Sequence, residues 1–283
     1  MIRYIDILIF KSAVKCACMV QILIFLLVQQ TAFSQTAKAP LPRTINIPNQ
    51  FQYAPCISGD GKSLLFMSDY SIDRKLQMQY SSLRGPGNWQ KAEELIFKTN
   101  YTHLHYLGGY SLSYDGKTLF FTSRKYPGVG RYDVWYSEKI GKKWGTPINV
   151  GAPVNSKSNE GCPSLSPDGK YLYFMRCEQM GENTANRCKL MVAERKKKGY
   201  WREPVELPAP INTGHETTPR IMPDNETLIF ASDRQGGKGG LDLYLTRKKN
   251  GGWTTPVPMD FINTEEDDQF VSVPARGNVI YFA

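Results

Sequence analysis

The chain of 283 residues is 41% hydrophobic, 12% aromatic and 22% charged, which excludes a disordered protein because enough apolar surface exists to offset the entropy of ordering. Its 24 glycines and 18 prolines follow no Gly-X-Y period, so collagen is excluded as well, and the turn-rich, aromatic-rich composition favours many short strands. The net charge of +9 supports no more than a weak attraction to anionic surfaces: the longest basic run, Arg195 to Lys198 before Gly199, reads as a solvated hairpin turn, and no nucleic-acid partner is expected.

Residues 1–34 read as a signal peptide that lies outside the fold. Arg3, Lys11 and Lys15 give a positive start and Cys16 to Val28 a short apolar core. Ala32, Phe33 and Ser34 then supply the small residues before a cut near Ser34–Gln35. The apolar run, interrupted by Gln21, falls short of the roughly 20 residues of a spanning helix. Lys15 and Ala17 stand before Cys16 and Cys18, where a lipidation site would want small and aliphatic residues. Export, with no transmembrane span after cleavage, is the expectation. Residues 35–50 form an N-terminal segment in which Arg43 to Ile47 is expected to add a closing outer strand.

From residue 51 to residue 283 the chain repeats itself. Ser58-Gly-Asp60-Gly, Ser113-Tyr-Asp115-Gly, Ser166-Pro-Asp168-Gly and Met222-Pro-Asp224-Asn each precede a short apolar strand, and the aspartates recur every 53 to 56 residues. A degenerate fifth copy starts at Ser272 and stops at Ala283. Asp-Gly or Asp-Asn makes a tight turn because Gly and Asn tolerate positive φ. The strands that follow, such as Leu119-Phe-Phe and Leu228-Ile-Phe, carry no polar face and read as buried on both sides. A loop and a second strand come next (Asp133 to Ser137, Asp242 to Thr246), then an outer strand opened by Trp144 or Trp253. Trp89 and Trp201 stand at the matching places in the first and third units. With the short strand before each corner this makes four strands per unit. A unit so thin cannot bury its own faces, so its neighbours must stack around an axis.

This repeat resembles the TolB-type, WD-repeat-like β-propeller family, whose Ser-Pro-Asp-Gly-Lys hallmark is matched in full by Ser166 to Lys170. Arg131-Tyr-Asp133-Val-Trp135 and Gly240-Leu-Asp242-Leu-Tyr244 resemble its second-strand motif; the third unit departs with Lys189 at that aspartate. The resemblance implies an all-β propeller of five blades, or six in a longer chain, and a place in the periplasm or at the outer membrane. Four complete units and a partial fifth leave one blade short of strands, so the propeller is expected to be C-terminally incomplete. The disulfide expected in this oxidising compartment joins Cys177 and Cys188, which flank one polar loop, whereas Cys56 and Cys162 fall at similar places in different units, too far apart to pair.

Catalytic motifs are missing. No Gly-x-Ser-x-Gly elbow occurs, and His215-Glu216 lacks the second histidine of a zinc-protease helix. No cysteine pair has zinc-site spacing, and His103 with His105 read as surface loop residues rather than metal ligands. No metal and no cofactor are expected. Gly236 to Gly240 reads as a flexible hairpin. One constellation remains: Glu160, Glu216 and Asp267, with Gln52 in the first unit, each follow the blade-to-blade connection and converge toward the channel, where they could bind a ligand. The competing reading makes them loop anchors, just as Asp133 with Arg124 and Asp242 with Arg234 read as pairs within a blade. The function expected is that of a non-catalytic, exported scaffold that binds proteins or glycans, peptidoglycan included, in outer-membrane assembly or secretion. The alternative is a carbohydrate-active or other hydrolytic propeller, which would need two of the carboxylates about 5 to 10 Å apart across a sugar.

Overall fold

The computed structural model describes residues 3–8, 34–35, 39–68, 77–97, 109–124, 128–141, 143–181, 184–196, 200–277 and 279–282. The expected apolar leader core and His103 and His105 lie outside these residues. Every element among the described residues is a strand or turn, and the architecture is an all-β propeller with four complete blades.

Each blade is antiparallel and follows the chain outward from the channel. Blade 1 runs Gln52–Ile57, Ser63–Ser68, Gln77–Ser82 and Glu93–Glu94. Blade 2 runs Tyr110–Leu112, Thr118–Ser123 and Asp133–Ile140, with Lys143–Trp144 and Ile148–Asn149 both paired to its third strand. Blade 3 runs Asn159–Leu165, Tyr171–Met180, Ala185–Glu194 and Val205–Glu206. Blade 4 runs Glu216–Ile221, Thr227–Ser232 and Asp242–Lys249, then Gly252–Trp253 and Val257–Pro258.

The repeated corner is a hydrogen-bonded knot. In the second unit Ser113 donates to Asp115 at 2.6 Å, and Asp115 accepts the Lys117 amide at 3.1 Å. The Ser113 hydroxyl in turn accepts the Thr118 amide at 2.9 Å. Ser58–Asp60 and Ser166–Asp168 repeat it, while at Asp224 the hydroxyl comes from Thr227 instead. At Asp115 the Ser113 hydrogen bond, helped by the Lys117 amide and charge, outweighs burial and holds the carboxyl below its usual range. Asp60, Asp168 and Asp224 are also lowered: burial pushes them up, and their hydrogen bonds and a nearby cation overcome it.

The second strands are buried on both faces, as their sequence predicts, because each is sandwiched between blades. Leu119 and Phe121 pack with Leu65 and Met67 of blade 1, whereas Phe120 packs with Leu172 and Phe174 of blade 3. The tryptophans cement the rim. Lys139 lies between the rings of Tyr80 and Trp144, and Lys248 among those of Tyr171, Tyr173 and Trp253. Arg195 stacks 4.7 Å from the centroid of the Trp201 ring. Each such cation–aromatic contact contributes about 0.5–2 kcal/mol.

A further sheet joins the two ends of the chain. Val279–Phe282 pairs with Arg3–Leu8, which also pairs with Ser34–Gln35 and Ala39–Pro40. One expectation changes here. Arg43 to Ile47 is a turn, with the amides of Ile45 and Asn46 both donating to the Pro42 carbonyl, and the strand of that segment is Ala39–Pro40. Arg3–Leu8, within the expected leader, pairs along the edge of Val279–Phe282, where the amides and carbonyls of an open edge demand a partner. Two hydrophobic clusters bracket this last unit: Ile280 and Phe282 pack with Ile229 and Leu243 of blade 4, and Tyr281 packs with Leu64, Phe66 and Trp89 of blade 1.

Candidate functional site

The connections between blades are built from one device. The Asn155 side chain bonds both the amide and the carbonyl of Val134, Asn212 those of Leu190, and Asn263 those of Leu243. Each asparagine thus docks the connection onto the third strand of the blade just completed. Asn46, donating to the Leu41 carbonyl as Asn212 does to that of Leu207, is the first-unit member. A carboxylate then ties the loop. Glu160 accepts from the amide and hydroxyl of Ser156 and from Arg176 Nε at 2.7 Å. Glu216 accepts the amides of Thr213 and Gly214 at 3.0 and 2.7 Å, with Arg234 at 3.5 Å and Lys189 at 3.7 Å.

The fifth unit shifts by one residue. Asp268, not Asp267, accepts the Thr264 amide and hydroxyl, and Asp268 is buried; Asp267 is exposed and takes the Leu241 amide. Gln52 donates to the Ile47 carbonyl at 3.3 Å. Glu160 and Glu216 have no solvent exposure, and none of Glu160, Glu216, Asp267 or Gln52 lines either opening of the channel. The geometry therefore makes these groups loop anchors. Asp242 is likewise a cap, accepting the Lys238 and Gly239 amides, while Arg234 reaches Glu216 and the carbonyls of Pro210 and Ile211. The Gly236 to Gly240 loop is wrapped tightly: a Cβ on Gly239 would overlap the Glu266 carbonyl of the next connection, and one on Gly130 would overlap that of Ser158. Glycine is needed there for close approach rather than for flexibility.

Two residues beyond Gln52, Glu160, Glu216 and Asp268 the chain bulges through a left-handed residue (Ala54, Cys162, Thr218 and Phe270), and Gly109 is left-handed at the matching place in the second unit. The same register shift appears at Tyr53/Cys56, Gly161/Ser164 and Thr217/Arg220. One channel opening, about 440 Å³ including solvent at its mouth, is rimmed by the corner residues Gly59, Tyr114, Pro167, Pro223 and Ala275. Each of the five units contributes one of them. The other opening, about 210 Å³, is lined by Gly109, Cys162, Thr218 and Phe270 at the bulges. Burial pushes the Cys162 thiol up to about 12, and Cys56 and Cys162, both buried, form no disulfide.

Arg220 lines both openings. It occupies a waist position shared with Cys56, Ser111, Ser164 and Ser272, all small. The Arg220 guanidinium donates from Nε to the Val271 carbonyl at 3.1 Å and from Nη2 to that of Tyr110 at 3.0 Å, spanning the channel. Ser164 accepts the Ile221 amide and Ser272 accepts the Ile57 amide, so the last unit grips blade 1 as blade 3 grips blade 4. No acidic side chain lines either opening among the described residues, and no group of three metal-ligating side chains occurs there.

The fold and channel define a β-propeller. No family model matches the chain, and no curated protein matches it. Among solved structures it is similar to one named as a TolB from Agrobacterium tumefaciens, at 15% identity and a TM-score of 0.51, covering 96% of this chain and 73% of that one. It is also similar to a thermostable family-43 glycoside hydrolase (11% identity, TM-score 0.53, 82% of this chain and 83% of that one). An α-L-arabinofuranosidase from Lactobacillus brevis matches at 12% identity and a TM-score of 0.51, with 82% of each chain covered. These neighbours correct one expectation. Enzymes are prominent among the structures of this shape, so the absence of familiar motifs does not make the protein non-catalytic.

Proposed function

We propose that the chain is an exported, TolB-type propeller, closed into a ring by five units, that binds a protein or glycan partner in the bacterial cell envelope at one end of its channel. The observation that carries this reading is the convergence of Gly59, Tyr114, Pro167, Pro223 and Ala275, one corner from each unit, around an opening floored by a single cation. The Ala275 amide donates to the Gly59 carbonyl at 2.8 Å, which supports closure between the last unit and the first. The Cys177–Cys188 disulfide fits an oxidising compartment, and residues 1–34 fit a cleaved leader. Cleavage near Ser34–Gln35 would take Arg3–Leu8 off the Val279–Phe282 edge. A hydrolytic role for Glu160, Glu216 or Asp267 has no support from their placement, since the first two have no solvent exposure and both Glu160 and the Oε1 of Glu216 accept loop donors.

A photo-crosslinking residue in place of Tyr114, which is 48% exposed at the rim, tests the reading against the same probe at Ile148 on an outer strand. Incubated with envelope fractions and purified sacculi, the Tyr114 probe should give a discrete protein or glycan adduct that the Ile148 probe does not. Adducts from both sites alike, or from neither, would contradict it.

A further inference from the structure

Arg220 breaks the symmetry of the channel. Of the five equivalent waist positions, Cys56, Ser111, Ser164 and Ser272 carry small side chains, and Arg220 alone places a charge on the axis. A guanidinium has five N–H donors. Two are spent, on the carbonyls of Val271 and Tyr110, and no carboxylate pairs with it among the described residues. The other three have no partner among the described residues, and the residue lines both openings. A cation taken partly out of water without a counter-charge is costly.

The surroundings add hydroxyls rather than acids. Ser164 and Ser272 line the same opening, and each hydroxyl accepts a backbone amide, leaving its own proton to donate. On the other side Thr218, 7% exposed, has a buried Oγ1 with no hydrogen-bond partner, and it lines the second opening together with Arg220. Around these polar groups the larger opening is walled by Ile57, Leu112, Leu165, Ile221 and Val273. Small-molecule sites share this make-up, an apolar wall with a few convergent polar groups that fix the ligand.

We infer that the channel holds a carboxylate site, in which Arg220 pairs with the carboxylate of an organic acid whose apolar body fills the opening between Tyr114 and Pro223. A planar, two-oxygen anion matches the guanidinium fork, and the excess of basic over acidic residues favours its approach. The inference rests on the channel-end reading above and names the chemistry recognised there: a peptide C-terminus with an apolar last residue, or a free organic acid of that size.

Titration calorimetry on the mature protein with N-acetyl-leucine and N-acetyl-leucinamide tests it, because the two differ at the carboxylate. The acid should bind at least tenfold more tightly than the amide, and raising the salt should narrow the gap. Equal affinity, or no binding of either at 10 mM, overturns the inference while leaving the Tyr114 crosslink as a separate test of docking. Arg220→Met should abolish the preference and Arg220→Lys retain part of it, with the melting temperature of each recorded. An acid preference that survives Arg220→Met also overturns it. A peptide ending in leucine that binds more tightly than N-acetyl-leucine would assign the site to a chain end, and equal binding to a free acid.

Discussion

Blades 3 and 4 are neighbours with the same strand order, yet they secure the hairpin between their second and third strands by opposite means. In blade 4 a glycine-rich loop is held by Asp242, whose carboxylate accepts two loop amides. In blade 3 there is no such loop: Tyr171–Met180 and Ala185–Glu194 continue as a long ladder pinned by Cys177–Cys188, with the paired Cα atoms 4.0 Å apart. Lys189 stands where Asp242 would, and with no loop amides to hold it reaches the next connection, donating to the Gly214 carbonyl at 2.9 Å and approaching Glu216. Arg176, at the position that Ser232 fills in blade 4, holds Glu160 in the connection that enters its own blade. The lesson is that one repeat position can serve its own blade or the junction to the next, and the local loop decides which.

Substitutions can break that contrast, beginning with the largest effect. Arg176→Ala leaves the fully buried Glu160 without its cation, and uncompensated buried charges cost about 3–5 kcal/mol. Chemical denaturation should register that loss, and a double variant that also carries Glu160→Gln should recover part of it. Reducing Cys177–Cys188, or replacing both by Ser, should cost about 3 kcal/mol by release of the closed loop, lowering the melting temperature by roughly 6–12 °C. The same reductant should leave a Cys177→Ser/Cys188→Ser variant unmoved. Asp242→Ala orphans the Lys238 and Gly239 amides and should cost about 1–3 kcal/mol, whereas Lys189→Ala, at a half-exposed side chain, should cost less than about 1 kcal/mol. If Lys189→Ala costs as much as Asp242→Ala, the contrast is wrong.

The smallest effect is acid sensitivity at the corners. Asp60, Asp115, Asp168 and Asp224 titrate lower in the folded chain than free carboxyls. Their contribution is complete above the unfolded value of about 4 and is lost as the pH falls through the lower folded values. Stability should therefore be flat with respect to these groups above about pH 5 and decline below about pH 4. Asp115→Asn should make that decline shallower.

Much of this was legible in the sequence. Asp-Gly after a serine marks a corner because the geometry needs both the side-chain acceptor and a left-handed residue, and Leu119-Phe-Phe marks a strand buried twice because a polar residue there would meet a neighbouring blade. Cys177 and Cys188 were findable because equal distances from a loop place them opposite each other. The anchors were half legible. Counting six residues back from Ser58, Ser166, Met222 and Pro274 gives Gln52, Glu160, Glu216 and Asp268, but two adjacent aspartates made the register ambiguous. Their burial was not legible, since the donors that consume them sit in loops whose path depends on the next blade. Arg220 escaped notice because it belongs to no motif. Its meaning appears when the residues two before each corner are compared, and the space it occupies comes from four small residues far away in sequence. Strand exchange at the chain ends was the least legible, being set by an unpaired edge rather than by local pattern.

Ring closure by the last unit is the claim on which the channel, the rim and the Arg220 site all depend. The amide of Ile57 reports on it directly, because its hydrogen bond goes to Ser272, just as that of Ile221 goes to Ser164 within the complete part of the ring. Hydrogen exchange on the mature protein should find Ile57 and Ile221 protected to a similar degree. An Ile57 amide that exchanges orders of magnitude faster than Ile221 would show an open ring and contradict the account.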